Sequence, residues 1–130
     1  MTALNRQKFH DELESRRAQI ERAMQVRLGY QTLCEIHKDG RVTGGLKYDE
    51  GQLVMLSGLL RRLKRAPDAQ TPADFQRLLQ EEHDHWERGL TARRSQAQPS
   101  LPWIAYYQGG VDACAALLAW LRCNSAEVSP

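Results

Sequence analysis

The chain of 130 residues carries 18 basic and 16 acidic side chains for a net charge of +2, and 42% of its residues are hydrophobic. That length suits one domain burying roughly two-thirds of its unfolded surface, and the composition excludes a disordered or fibrous chain. So balanced a charge excludes polyanion binding driven by net charge alone, and three cysteines, Cys34, Cys114 and Cys123, with no C-x-x-C pair signal neither a disulfide framework nor a zinc site.

Met1 to Phe9 lacks the apolar core of a secretory signal, and no window reaches the ~18 apolar residues of a membrane span. The expectation is a cytoplasmic protein with reduced thiols, in one domain over 1–123 with a flexible tail over 124–130.

The first predicted helix starts at about Asn5, capped by Asn5 or Thr2. Phe9, Leu13, Ile20, Ala23 and Met24 share one face, with Glu12, Glu14, Arg16, Arg17 and Arg22 opposite. Gly29 closes this helix at about Leu28, or Lys38-Asp39-Gly40 closes it later with Gly40 left-handed. Residues 32–43 also read as a short β-hairpin turning on Asp39-Gly40. An isolated hairpin is only marginally stable, which favours the longer helix.

Gly44-Gly45 breaks the chain, and Asp49 with Gln52 resembles a capping box opening a second helix. Leu53, Leu56, Leu60 and Leu63, widened by Val54 and Leu59, form its apolar face as far as about Arg65, before Pro67 stops it. Thr71-Pro72-Ala73-Asp74 opens a third helix with a threonine cap, proline at the first position and a carboxylate that the helix dipole favours. Its predicted face is Phe75, Leu78, Leu79, Trp86 and Leu90. A polar linker over 95–99 leads to Ser100-Leu101-Pro102 and a last helix carrying Trp103, Tyr107, Val111, Cys114, Leu117, Leu118 and Leu121. Gly109 and Gly110 each cost about 1 kcal/mol inside a helix, so close approach of a neighbouring helix or a kink is expected there. The fold class is mainly α, a compact four-helix arrangement with a long N-terminal helix. The run Tyr107-Gln108-Gly109-Gly110-Val111-Asp112-Ala113, followed by Leu117-Leu118, resembles helices of small phage-encoded helical proteins; it implies no functional residue.

Glu81-Glu82-His83-Asp84-His85 offers metal-ligand chemistry, but His83 and His85 point about 200° apart around a helix, whereas Glu81 or Glu82 shares a face with His85. A solvated polar face accounts for the same residues. Arg61, Arg62, Lys64 and Arg65 form a basic run able to grip phosphate; Lys47 and Arg93-Arg94 would extend it, but Asp68 and the acidic run from Glu81 to Asp84 work against a continuous patch, and cations at a helix end also complement its dipole. No nucleophile motif or phosphate loop occurs, Cys34 near His37 is a coincidence of spacing, and neither an enzyme nor a cofactor is expected. Of Tyr106 and Tyr107, about 100° apart, one is expected to leave the buried stripe as a contact residue.

A first helix of about 30 residues would span roughly 45 Å and overhang its bundle, leaving Val26, Leu28, Tyr30 and Leu33 for a second copy or a partner to cover. The leading expectation is a non-catalytic protein–protein interaction module, a small adaptor, inhibitor or assembly factor of a cell, mobile element or phage, and a homodimer. The alternatives are a nucleic-acid-binding regulator using residues 61–65 and a metal-dependent enzyme or metal-binding protein using residues 81–85.

Overall fold

A computed structural model describes residues 3–28 and 44–125. They form four helices, α1 (Arg6–Leu28), α2 (Gly44–Arg65), α3 (Pro72–Arg94) and α4 (Leu101–Asn124). No strand occurs among them, and no helix is long and apolar enough to cross a membrane. The mainly α, four-helix reading is what the chain adopts. Where the first helix ends and whether 32–43 pairs as a hairpin fall outside the described residues, as do Tyr30, Leu33 and residues 126–130.

Local chemistry sets the helix starts. The Asn5 Oδ1 accepts from the Lys8 N–H at 2.9 Å and caps α1. At α3 the Thr71 hydroxyl accepts from the Asp74 N–H, while the Asp74 carboxylate accepts from the Gln70 and Thr71 N–H groups, closing a capping box. The Gln70 bond first, then those from Thr71, hold the Asp74 carboxyl below its ordinary 3.8. Because the folded value is depressed, this contribution is complete above that pH and is lost as the pH falls through the folded value.

α2 corrects one expectation. The helix begins at Gly44, more than a turn before Asp49, so Asp49 is an interior helical residue rather than a cap. Burying Leu46 and holding Tyr48 against α4 offset the helix cost of two glycines. Within α2, Met55 rather than Val54 joins the core: Met55 is fully buried and Val54 is exposed. Two flanks of α2 are covered, one by α1 and one by α4, which turns the stripe towards Met55. On α1, Phe9, Leu13 and Met24 are buried while Ala23 is exposed, because a helix packed chiefly on one neighbour buries a narrow seam. All five predicted α3 residues are buried.

Consecutive helices run antiparallel. Arg6 reaches the carbonyls of Leu63, Ala66 and Ala69 at one end of α1, and Arg27 reaches Asp49 at the other. Phe9 and Phe75 stack at 4.5 Å and join the start of α1 to the start of α3. α2 and α4 consequently run parallel, and they meet directly at two glycines. A Cβ on Gly51 would lie 1.8 Å from the Tyr106 carbonyl oxygen, and one on Gly109 2.1 Å from that of Tyr48. The α3–α4 seam uses rings instead: the Trp86 indole lies over Gly110 and the Tyr107 ring over Gly89. The close helix approach expected at Gly109-Gly110 is thus made twice, once to backbone and once to an indole. α2 and α4 form the most extensive pairing, with α1 packed chiefly on α2 and α3 chiefly on α4.

Candidate interaction surfaces

The end of α1, the start of α2, the end of α3 and the start of α4 share one end of the bundle. There Val26 is 72% exposed, Leu101 75% and Trp103 38%, values that exclude a core role for the first two. Trp103 lies in the first turn of α4, and the first member of the predicted stripe is exposed rather than core. Lys47 Nζ lies 4.6 Å and the Arg93 guanidinium 5.0 Å from its ring centre. Both cations gain from the π face, and the lysine, itself buried, also pairs with Glu50 at 3.0 Å. Lys47 and Arg93 therefore belong to this end rather than to the basic run of α2.

Neither Tyr106 nor Tyr107 leaves the bundle as the contact residue expected from their angular separation. Both are half-buried and packed on the core. Trp86 lies 5.2 Å from Tyr106 and 5.6 Å from Tyr107, ring centre to ring centre, and Trp103 meets Tyr106 edge-on at 5.2 Å. The physical reason is that α4 is flanked twice, by α2 on the Tyr106 side and by α3 on the Tyr107 side. Val26 is exposed as expected; Tyr30, Leu33 and the Leu28 side chain lie outside the described residues.

A polar chain crosses behind this end. Arg94 donates to Gln108 at 2.9 Å, Gln108 to Asp112 at 2.8 Å, and the Tyr48 hydroxyl to the other Asp112 oxygen at 2.6 Å. Burial, then the bond to Asp112, pushes the Tyr48 phenol up to about 12. The folded value is raised, so the fold favours the neutral phenol: its contribution is whole below the ordinary 10.0 and disappears as the pH climbs towards 12. Tyr48→Phe is expected to lower stability by about 1 kcal/mol at neutral pH and to remove the latest tyrosinate step from an absorbance titration. An unchanged titration would assign that step elsewhere. Nearby, burial raises the Asp49 carboxyl while Arg27, 2.7 Å away, opposes the shift.

The predicted basic run is divided. Arg62 turns to α3, where it pairs with Glu81 and, at 3.3 Å, with Glu82 and the Leu78 carbonyl. Glu82 also accepts from the Trp86 indole N–H at 3.1 Å, so Arg62 is part of the α2–α3 joint. Arg61, Lys64 and Arg65 are exposed. The first two line a groove of about 410 Å³ between α1 and α2, which also takes in Arg6, His10, Glu14, Arg17 and Leu60.

The histidine–carboxylate string is rearranged as well. Glu81 and Glu82 are held by Arg62, and exposed His85 makes a T-shaped contact with Trp86, ring centre to ring centre 6.2 Å. The group that converges is His83, Asp84 and Glu87, with His83 Nδ1 3.5 Å from Glu87 and 4.0 Å from Asp84. The expected face sharing with His85 is not used, because Glu82 is committed to Trp86 one helical turn on. Of the thiols, burial and then Glu82 push Cys114 up to about 12, too high for a nucleophile, and Cys123 is exposed. Cys34 and His37 lie outside the described residues.

Sequence reasoning missed Arg6 and the exposure of Trp103. The signals were a cation at the start of a helix, where the dipole disfavours it, and a tryptophan in the first turn of another. Compared with protein-family models, with curated proteins and with solved structures, the chain matches none.

Proposed function

We propose that the chain is a non-catalytic protein–protein interaction module, an adaptor, inhibitor or assembly factor of the cytoplasm. The observation that carries this reading is the gathering of exposed Val26, Leu101 and Trp103 at one end of the bundle, with cations beside them. A partly exposed indole packed edge-on against Tyr106, at the same end of the bundle as two exposed aliphatic side chains, is the kind of anchor that dominates protein interfaces. A second copy of the chain or a partner protein covers that end.

Light scattering of the purified chain, joined to affinity capture from its native cell, tests the proposal. The expected result is a dimer mass, or a stoichiometric protein partner, that Trp103→Ala with Leu101→Ser abolishes while the circular dichroism of the helices stays unchanged. A monomer that captures nothing, or capture indifferent to both substitutions, overturns it.

A further inference from the structure

The groove between α1 and α2 is cationic beyond what the fold uses. Four cations, Arg6, Arg17, Arg61 and Lys64, line it against the single carboxylate of Glu14. Two of the four have structural work. Arg6 is held by three carbonyls at the end of α2, and Arg17 pairs with Glu14 at 2.8 Å and Glu21 at 3.8 Å. Arg61 and Lys64 are different: both are exposed, and neither has an ion-pair or hydrogen-bond partner among the described residues. They stand three residues apart on one face of α2, above half-buried Leu60.

We infer that this groove binds an acidic amphipathic segment of a partner protein, with carboxylates on Arg61 and Lys64 and an apolar side chain on Leu60. Size supports a peptide, since lining residues from Gln7 to Arg17 cover about 15 Å of α1, enough for two to three helical turns. Charge distribution argues against a nucleic-acid backbone. Asp11 and Glu21 on α1 keep side chains 65% and 55% exposed beside the groove. A duplex carrying a charge every ~1.7 Å could not avoid them, whereas a peptide places a few carboxylates where the cations are. The fit is thus one of charge complementarity over a short length, with an apolar contact that a phosphate backbone would not use. The inference rests on the protein-binding reading above but on a separate surface.

The test is fluorescence anisotropy of the full chain with two labelled probes, a helical peptide carrying glutamate and leucine on one face and a DNA duplex of mixed sequence. Saturable peptide binding is expected, weakening as salt is added and falling about tenfold or more in Arg61→Glu/Lys64→Glu. Arg65→Glu, an exposed cation outside the groove, and Trp103→Ala are expected to leave that affinity within about twofold. Trp103→Ala thereby separates failure of this groove from failure of the end face. Arg61→Gln/Lys64→Gln, with the native dichroism spectrum, covers a reversal variant that folds poorly. No saturable peptide binding, an equal loss in Arg65→Glu, or tighter binding of the duplex than of the peptide overturns the inference.

Discussion

Gly109→Ala and Gly51→Ala are each expected to destabilise the bundle by about 2 kcal/mol or more, although alanine is the better helix former by about 1 kcal/mol. The reason is what the new methyl group would meet. At Gly109 it would lie 2.1 Å from the Tyr48 carbonyl oxygen and 3.0 Å from its carbon, and at Gly51 1.8 Å from the Tyr106 carbonyl oxygen. A clash with a flexible side chain is relieved by a rotamer change, but a backbone carbonyl moves only with its helix. Separating α2 from α4 also loosens fully buried Met55, Leu56, Cys114 and Leu117. Both glycines serve one crossing, so the double variant should lose clearly less than the sum of the two singles. Gly58 is the internal control: a methyl there would approach nothing nearer than the Arg61 guanidinium at 3.7 Å. Gly58→Ala should therefore stabilise by up to about 1 kcal/mol. Urea unfolding followed by circular dichroism orders the series; equal midpoints at positions 51, 58 and 109 would falsify the tight α2–α4 crossing.

The same glycines show which parts of the fold were legible in the sequence. Two adjacent glycines inside an apolar helix demand a compensating contact, and that demand pointed to close packing at Gly109-Gly110 without naming the neighbour. α3 was fully legible because its start is local chemistry: Thr71, Pro72 and Asp74 act on backbone groups within four residues. The start of α2 was not, since Tyr48 is held by Asp112, a residue more than sixty positions away. The surfaces divide on the same line. Exposure of Val26 follows from its place on α1, but the division of the Arg61–Arg65 run depends on α3 presenting Glu81 and Glu82 to Arg62 alone. The aromatic pair depends on α4 being flanked twice, a fact about neighbours that helical angles do not contain.

Arg6→Ala is expected to cost about 2 kcal/mol, the second of the large effects. Arg6 opens α1, where its charge opposes the helix's own dipole, and no acidic residue sits in that first turn to offset it. The compensation comes from another helix. At the end of α2 the chain turns through Ala66 and Ala69, leaving carbonyls that the helix ladder does not saturate. The planar guanidinium donates to Ala66 and Ala69 at 2.8 Å each, and its other terminal nitrogen donates to Leu63. It meets the negative end of the α2 dipole with three charge-assisted bonds; replacement by alanine leaves the Leu63 and Ala66 carbonyls with only the N–H groups of Ala66 and Ala69, and takes from the Ala69 carbonyl its guanidinium donor. Relief of the unfavourable charge in α1 returns only a few tenths of a kcal/mol. Arg6→Lys keeps the charge and loses the fork, so it should recover less than half of the deficit. Hydrogen exchange should show the loss locally, as faster exchange of the Ala66 and Ala69 amides before the centre of α2 opens. If Arg6→Ala unfolds at the wild-type urea midpoint, the guanidinium is only a surface ornament and the joint between α1 and α2 is held by the apolar seam of α1 and the Arg27–Asp49 pair.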